Sequence, residues 1–185
     1  MKALLLFLGG ILSSCAIEKP IYETISKEGD FEVRKYAALK VVSAPMDDMA
    51  NRDDSFRKLF KYISGENAGK QKIAMTSPVF MDEGKKDATA GKMSFMLPAK
   101  VAEKGAPAPD GEGLAVTEIA GGTFAVLRFK GWSKEESRNK ASEALAALIT
   151  GNKLKPEGAT FFAFYDPPWT PELMRRNEIW QRIVP

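Results

Sequence analysis

An α+β fold is what this 185-residue sequence predicts: two helices packed on a mainly antiparallel sheet that curls toward a barrel. Three observations carry that reading. The order strand, strand, helix, strand, strand occurs twice along the chain. Both helical stretches are amphipathic, so each must bury one face. Between the two copies, residues 99–113 hold Gly105, Pro107, Pro109, Gly111 and Gly113, the composition of a surface crossing. With 44% hydrophobic residues, a chain of this length can bury one substantial core and requires no second domain.

The N-terminus reads as an address. Met1 and Lys2 precede apolar residues 3–12, well short of the roughly 20 residues that a membrane span needs. The run ends in Leu12, Ser13, Ser14 and Cys15, which resembles the lipobox of bacterial lipoproteins, where cleavage leaves the cysteine lipidated. Residues 1–14 are therefore expected to be a lipoprotein signal peptide and residues 15–20 a lipidated tether, with the globular domain over 21–185. Ala16 after the cysteine points to the periplasmic face of the outer membrane, with membrane contact through the lipid anchor alone. The alternative is an ordinary signal peptide in which the cysteine has no role. Cys15 is the only cysteine, so no disulfide within the chain can staple the domain.

In the first half, residues 22–26 form a short strand before the Gly29 turn, and residues 31–36 alternate Phe31 and Val33 with Glu32 and Arg34. Residues 39–44 make another strand, and these last two are expected to be antiparallel neighbours. A helix follows over 51–63. Asn51 is placed to cap it, Asp53 and Asp54 favour its first turn, and Gly65 ends it. Phe56, Leu59, Phe60 and Ile63 fall at i, i+3, i+4, i+7, one face of that helix. Residues 73–81 are apolar with Pro78 among them, hence an edge strand or a broken one. Residues 93–97 complete this half.

The second half opens with strands 115–119 and 124–130 on either side of a turn at Gly121 and Gly122. Ser133 and Glu136 have the spacing of a capping box, and Ala141, Ala144, Leu145, Leu148 and Ile149 line the helix up to Gly151. Residues 161–165 are a strand-length apolar run, and Pro167, Pro168 and Pro171 force a stiff loop before the last strand, 177–184. That loop carries Trp169, Leu173 and Met174, large apolar side chains that must cover a neighbour or a ligand.

Composition narrows the chemistry. The chain has no histidine, which removes imidazole as metal ligand or general base, and its net charge of +3 implies no strong attraction to nucleic acid. No phosphate-binding glycine loop or nucleophile arrangement is present, so a binding protein is expected, not an enzyme.

Five strings in order, KYISGEN (61–67), IAMTSPV (73–79), MSFMLP (93–98), FKGW (129–132) and YDPPWTPELMRRNEIW (165–180), together resemble the SOUL or haem-binding protein family. The resemblance implies a distorted, mainly antiparallel β-barrel with two helices, built from two similar halves. It also implies that the protein binds haem or a related tetrapyrrole in a hydrophobic groove between the first helix and the last hairpin loop. Phe56, Leu59, Phe60 and Ile63 would line one side, with Trp169, Leu173 and Met174 on the other. Arg175 and Arg176 are the candidates for pairing with propionates, their alternative role being solubility or strand pairing. Such a helical stripe is more often a core face than a ligand wall, because any amphipathic helix must bury something. Met75 and Met174 are the thioether candidates for iron, and Tyr36 and Tyr62 the tyrosinate candidates. Asn177 and Glu178 are expected to satisfy loop backbone groups. The fold also resembles bacterial effector-binding domains, so a receptor for another flat or amphipathic molecule is the second reading, and a structural or interaction lipoprotein without ligand the third.

Overall fold

The structure is a computed structural model and describes residues 17–46, 52–84 and 91–184. The signal segment, Cys15 and the expected cap Asn51 lie outside these residues. Nine strands form one antiparallel sheet: β1 (Tyr22–Glu28), β2 (Phe31–Tyr36), β3 (Leu39–Met46), β4 (Val79–Asp82), β5 (Gly91–Met96), β6 (Ala115–Ile119), β7 (Gly122–Phe129), β8 (Lys155–Phe164) and β9 (Asn177–Val184). Three helices are present among the described residues, α1 (Arg52–Ser64), α2 (Ala99–Lys104) and α3 (Glu135–Gly151).

The strand order β1-β2-β7-β9-β8-β4-β5-β3-β6 has an internal symmetry. Exchanging β2 with β6, β3 with β7, β4 with β8 and β5 with β9 reverses the order of those eight strands, with the β8–β4 ladder at the centre. The two halves inferred from element order are therefore real. Their first strands are exchanged: β2 pairs with β7 of the second half, and β6 pairs with β3 of the first. This corrects two expectations. Strands β2 and β3 are not neighbours, because Ala37 and Ala38 between them supply neither of the positive φ angles of a tight hairpin turn. Nor do β6 and β7 form a hairpin around Gly121. The two short links cross each other, and a Cβ on Gly121 would lie 2.7 Å from the Ala38 nitrogen, so only glycine permits the approach.

The sheet is not closed into a barrel. Exchange of the first strands lengthens the ribbon and leaves β1 and β6 as its two edges. A third helix, α2, also departs from the expected two. It starts straight after Pro98, buries no side chain and ends at Gly105, too short to show a periodic pattern. The stretch with Pro78 yields a strand only from Val79, and that strand is central, between β5 and β8, since the proline stays outside the ladder.

Both long helices pack on one face of the sheet. Leu59, Tyr62 and Ile63 of α1 cover Val42, Ala44, Met93 and Phe95, while Ala141, Leu145 and Ile149 of α3 cover Phe31, Ala125, Phe162 and Ile179. The α3 capping box does not form: Lys134 is the N-cap without a side-chain bond, and Glu136 pairs with Lys140 at 2.7 Å. The opposite face carries an aromatic cluster of Tyr36, Phe80, Phe124, Phe161 and Trp180, in which Tyr36 stacks on Trp180 at 4.3 Å.

Candidate functional site

Two helices cannot cover the helical face of a nine-stranded sheet, and the uncovered strip lies over its central strands. A groove of about 470 Å³ opens there, within the roughly 300–1,000 Å³ usual for small-molecule sites. Its floor is Met81 of β4, Met93 of β5 and Phe164 of β8. Arg52, Asp53 and Phe56 from the start of α1 form one wall. Trp132 and Ser133, just before α3, form the other, together with Pro168 and Arg175 from the β8–β9 loop.

The helical stripe divides between two jobs. Leu59 is fully buried and Ile63 nearly so, both in the core under α1; they belong to the packing and do not line the groove. Tyr62 joins them where the periodicity had suggested Phe60. Phe56 and Phe60 are 39% and 51% exposed, displaced to the flank of the helix. Their rings stack at 6.2 Å, and the Phe56 ring also meets Phe95 of the core edge-on at 5.2 Å. Phe56 alone of the four lines the groove.

On the other wall, Trp132 stands where the sequence reading placed Trp169. The proline loop folds so that Pro168 and Arg175 face inward, and Trp169, Leu173 and Met174 are 82%, 84% and 73% exposed at its tip. The loop is held in shape. Thr170 donates to the Pro167 carbonyl and Met174 to that of Pro171, both at 3.0 Å, around a 3-10 turn at Glu172–Met174. Arg175 Nε donates to the Thr170 carbonyl at 3.0 Å and its Nη2 to the Pro168 carbonyl, while its guanidinium lies 3.9 Å from the centre of the Trp132 ring. Asn177 Nδ2 donates to the Gly131 carbonyl at 2.8 Å, tying the segment before α3 to β9; it satisfies a loop backbone group, but of that segment and not of the proline loop where the sequence suggests it.

Arg175 and Arg176, neighbours in sequence, have different surroundings. Arg175 is at the groove; Arg176 donates to Glu178 Oε1 through Nε and Nη2 at 3.1 and 2.7 Å and lies 4.2 Å over the Tyr165 ring. Glu178 does not serve the loop backbone as expected. It is fully buried on the sheet face opposite the groove, where Arg34 donates to both its oxygens at 3.1 and 3.2 Å, Tyr165 Oη at 2.8 Å and Trp180 Nε1 at 2.9 Å. Burial alone would raise the Glu178 carboxyl, but Arg34 and Arg176 outweigh it and hold it below the ordinary carboxylate value. Arg34 also binds Glu32 at 2.7 Å.

Neither tyrosinate candidate lines this groove. Tyr36 is buried with its Oη accepting from Arg34, Tyr62 is buried with its Oη donating to the Pro107 carbonyl, and burial pushes both phenols up. Met75 packs against the core under α1, and Met174 is at the exposed loop tip. The methionines of the groove are Met81 and Met93, which the residues alone do not single out; Met81 ends the apolar stretch 73–81, and Met93 begins MSFMLP. Trp132 was legible in FKGW as a motif, without a role. Ser133 adds a polar atom, for its Oγ is buried and has no hydrogen-bond partner among the described residues.

Comparison with known proteins follows this geometry. A family model described as SOUL heme-binding protein matches residues 17–182. Human heme-binding protein 2 is 27% identical over 159 residues, covering 82% of this chain and 77% of that protein. Heme-binding protein 1 of Xenopus tropicalis is 24% identical, covering 83% and 81%. Among solved structures, the EcmrR C-terminal domain superposes with a TM-score of 0.61 at 13% identity, over 89% of this chain and 98% of that one. An uncharacterized conserved protein from Listeria innocua gives 0.60 at 12% identity, over 86% and 94%. At such identities these two likenesses concern the fold alone.

Proposed function

The chain belongs to the SOUL heme-binding protein family, and from that premise we propose that it binds haem or a related tetrapyrrole in the groove between α1 and the β8–β9 loop. The observation that carries the proposal is the groove itself: an apolar floor and two aromatic walls, Phe56 and Trp132, face each other across the central strands. Aromatic and thioether surfaces suit a flat conjugated ring. Arg52 and Arg175 at the rim are placed for the carboxylates of such a ligand. Phe60 stacks behind Phe56 outside the lining, and the loop bearing Trp169, Leu173 and Met174 is the opposite lip.

Held this way, the ring is bound by contact and carboxylate pairing. The chain has no histidine to offer iron. Haem, when bound, would supply its own redox and ligand-binding chemistry; the residues of the groove orient the ring and shield it from water. The role we propose is that of a buffer or carrier, without catalysis, anchored to the bacterial envelope through Cys15.

Titration of the chain with ferric haem and, in parallel, metal-free protoporphyrin, followed by Soret absorbance and tryptophan quenching, tests this. Similar saturable binding of both is the expected result. Binding of haem alone would show that a side chain coordinates iron, and failure of both would remove the tetrapyrrole reading.

A further inference from the structure

Among the described residues, the loop tip displays three large apolar side chains together on a segment too well held to fold them away. Pro167, Pro168 and Pro171 restrict its backbone, and the Arg175 bonds to Thr170 and Pro168 brace it from within. Trp169, Leu173 and Met174 nevertheless have most of their surface in solvent. Because Trp132 already faces Phe56 across the groove, ligand contact does not account for all three.

A second observation concerns the start of the described chain. The Glu18 carbonyl accepts from the Ser77 nitrogen at 2.9 Å, and Ser77 Oγ donates to the Tyr165 carbonyl at 3.2 Å. Tyr165 is the residue at which β8 passes into the proline loop. Glu18 is held further by its carboxylate, which accepts from the Ala99 nitrogen at 2.8 Å. The chain thus leaves the domain beside the base of the loop. From Glu18 back to Cys15 is three residues, about 10 Å at full extension. Two exposed lysines, Lys130 and Lys134, bracket Gly131 and Trp132, and the Glu172 side chain of the loop lies against Gly131.

We propose that the tip of the β8–β9 loop inserts Trp169, Leu173 and Met174 into the interfacial region of a phospholipid bilayer. Indole suits that region, since its ring is apolar and its N–H is polar. The lysines beside Trp132 face the phosphate layer. An anchor at Cys15 would then hold the domain with its loop downward, giving a second membrane contact besides the lipid chain that the sequence reading allowed. The orientation draws on the envelope-anchor reading, and the groove opens beside the inserted tip, so an apolar ligand dissolved in the membrane meets its mouth.

The test uses the full chain bound to phosphatidylcholine vesicles whose acyl chains carry bromine near the headgroups. The parent is expected to lose more emission than its Trp169→Phe variant, the difference being the blue-shifted emission of Trp169. Leu173→Ser with Met174→Ser should shrink that difference without altering the far-ultraviolet spectrum. Equal quenching of parent and Trp169→Phe, or no vesicle binding, would overturn the proposal. So would a concentration-dependent dimer that shields Trp169 without lipid, which would make the tip a self-association surface. Protoporphyrin binding measured on the same samples without vesicles reports on the groove separately, so failure of one reading is not mistaken for failure of the other.

Discussion

Arg175 stacks its guanidinium on the Trp132 ring at 3.9 Å, fastening the β8–β9 loop to the segment that leads into α3. One side chain therefore shapes the loop, through its two carbonyl bonds, and fixes one wall of the groove. Lysine cannot reproduce a planar fork that stacks and donates twice. Arg175→Lys is expected to weaken protoporphyrin binding by about 3- to 10-fold, the equivalent of roughly 1 kcal/mol for an exposed cation–π contact, with little change in the urea midpoint.

Phe56 and Leu59 are three residues apart on α1 and should separate binding from folding. Leu59→Ala removes a fully buried side chain and is expected to cost about 2–5 kcal/mol in denaturant unfolding. Phe56→Ala should leave the fold cooperative and weaken protoporphyrin binding by about 2- to 10-fold, the ~0.5–1.5 kcal/mol of an aromatic contact. Equal losses of stability in both variants would return Phe56 to the core.

Glu178 makes stability depend on acid. Its carboxyl is held below the ordinary value of about 4.3, so its contribution is complete above that pH and is lost as pH falls through its folded value. Urea midpoints should therefore drop steeply below about pH 4. Glu178→Gln is expected to flatten that acid limb and to cost about 3–5 kcal/mol at neutral pH, because Arg34 is then left buried without its main partner.

Gly121 should tolerate no side chain. The Cβ of Gly121→Ala would press on the backbone at Ala37 and Ala38, and a loss of about 1–3 kcal/mol in thermal unfolding is expected. Gly151→Ala is the control: a Cβ there meets nothing within 4 Å, and helix propensity predicts unchanged or higher stability.

What could be read in the residues was what repeats locally. Strand alternation at residues 31–36, the helical stripe from Phe56 to Ile63 and the proline loop all mark their own elements, and the doubled element order showed two halves. Pairing between halves leaves no such local trace. Nothing in Ala37 and Ala38 says that the next strand lies on the far side of the sheet, so the residues alone suggest β2 and β3 as neighbours. The groove was legible as a place, between α1 and the last loop, and less so as a set of side chains. A spacing of i, i+3, i+4, i+7 cannot tell Leu59, at the centre of the buried face, from Phe56, at its margin. Trp132 reaches the groove only because Asn177 and Arg175 hold its segment there, and those contacts cross more than 40 residues of chain.

The exchanged first strands bear on what happens when the chain is cut. β2 aligns Phe31 with Leu127, and β6 aligns Thr117 with Val41. A protease acting between Gly105 and Gly113 would therefore release no free-standing half. Each piece would carry a strand whose place is in the other, and the two would stay clasped as a nicked whole. Produced separately, they should act as complementary fragments, each an incomplete sheet until it meets its counterpart.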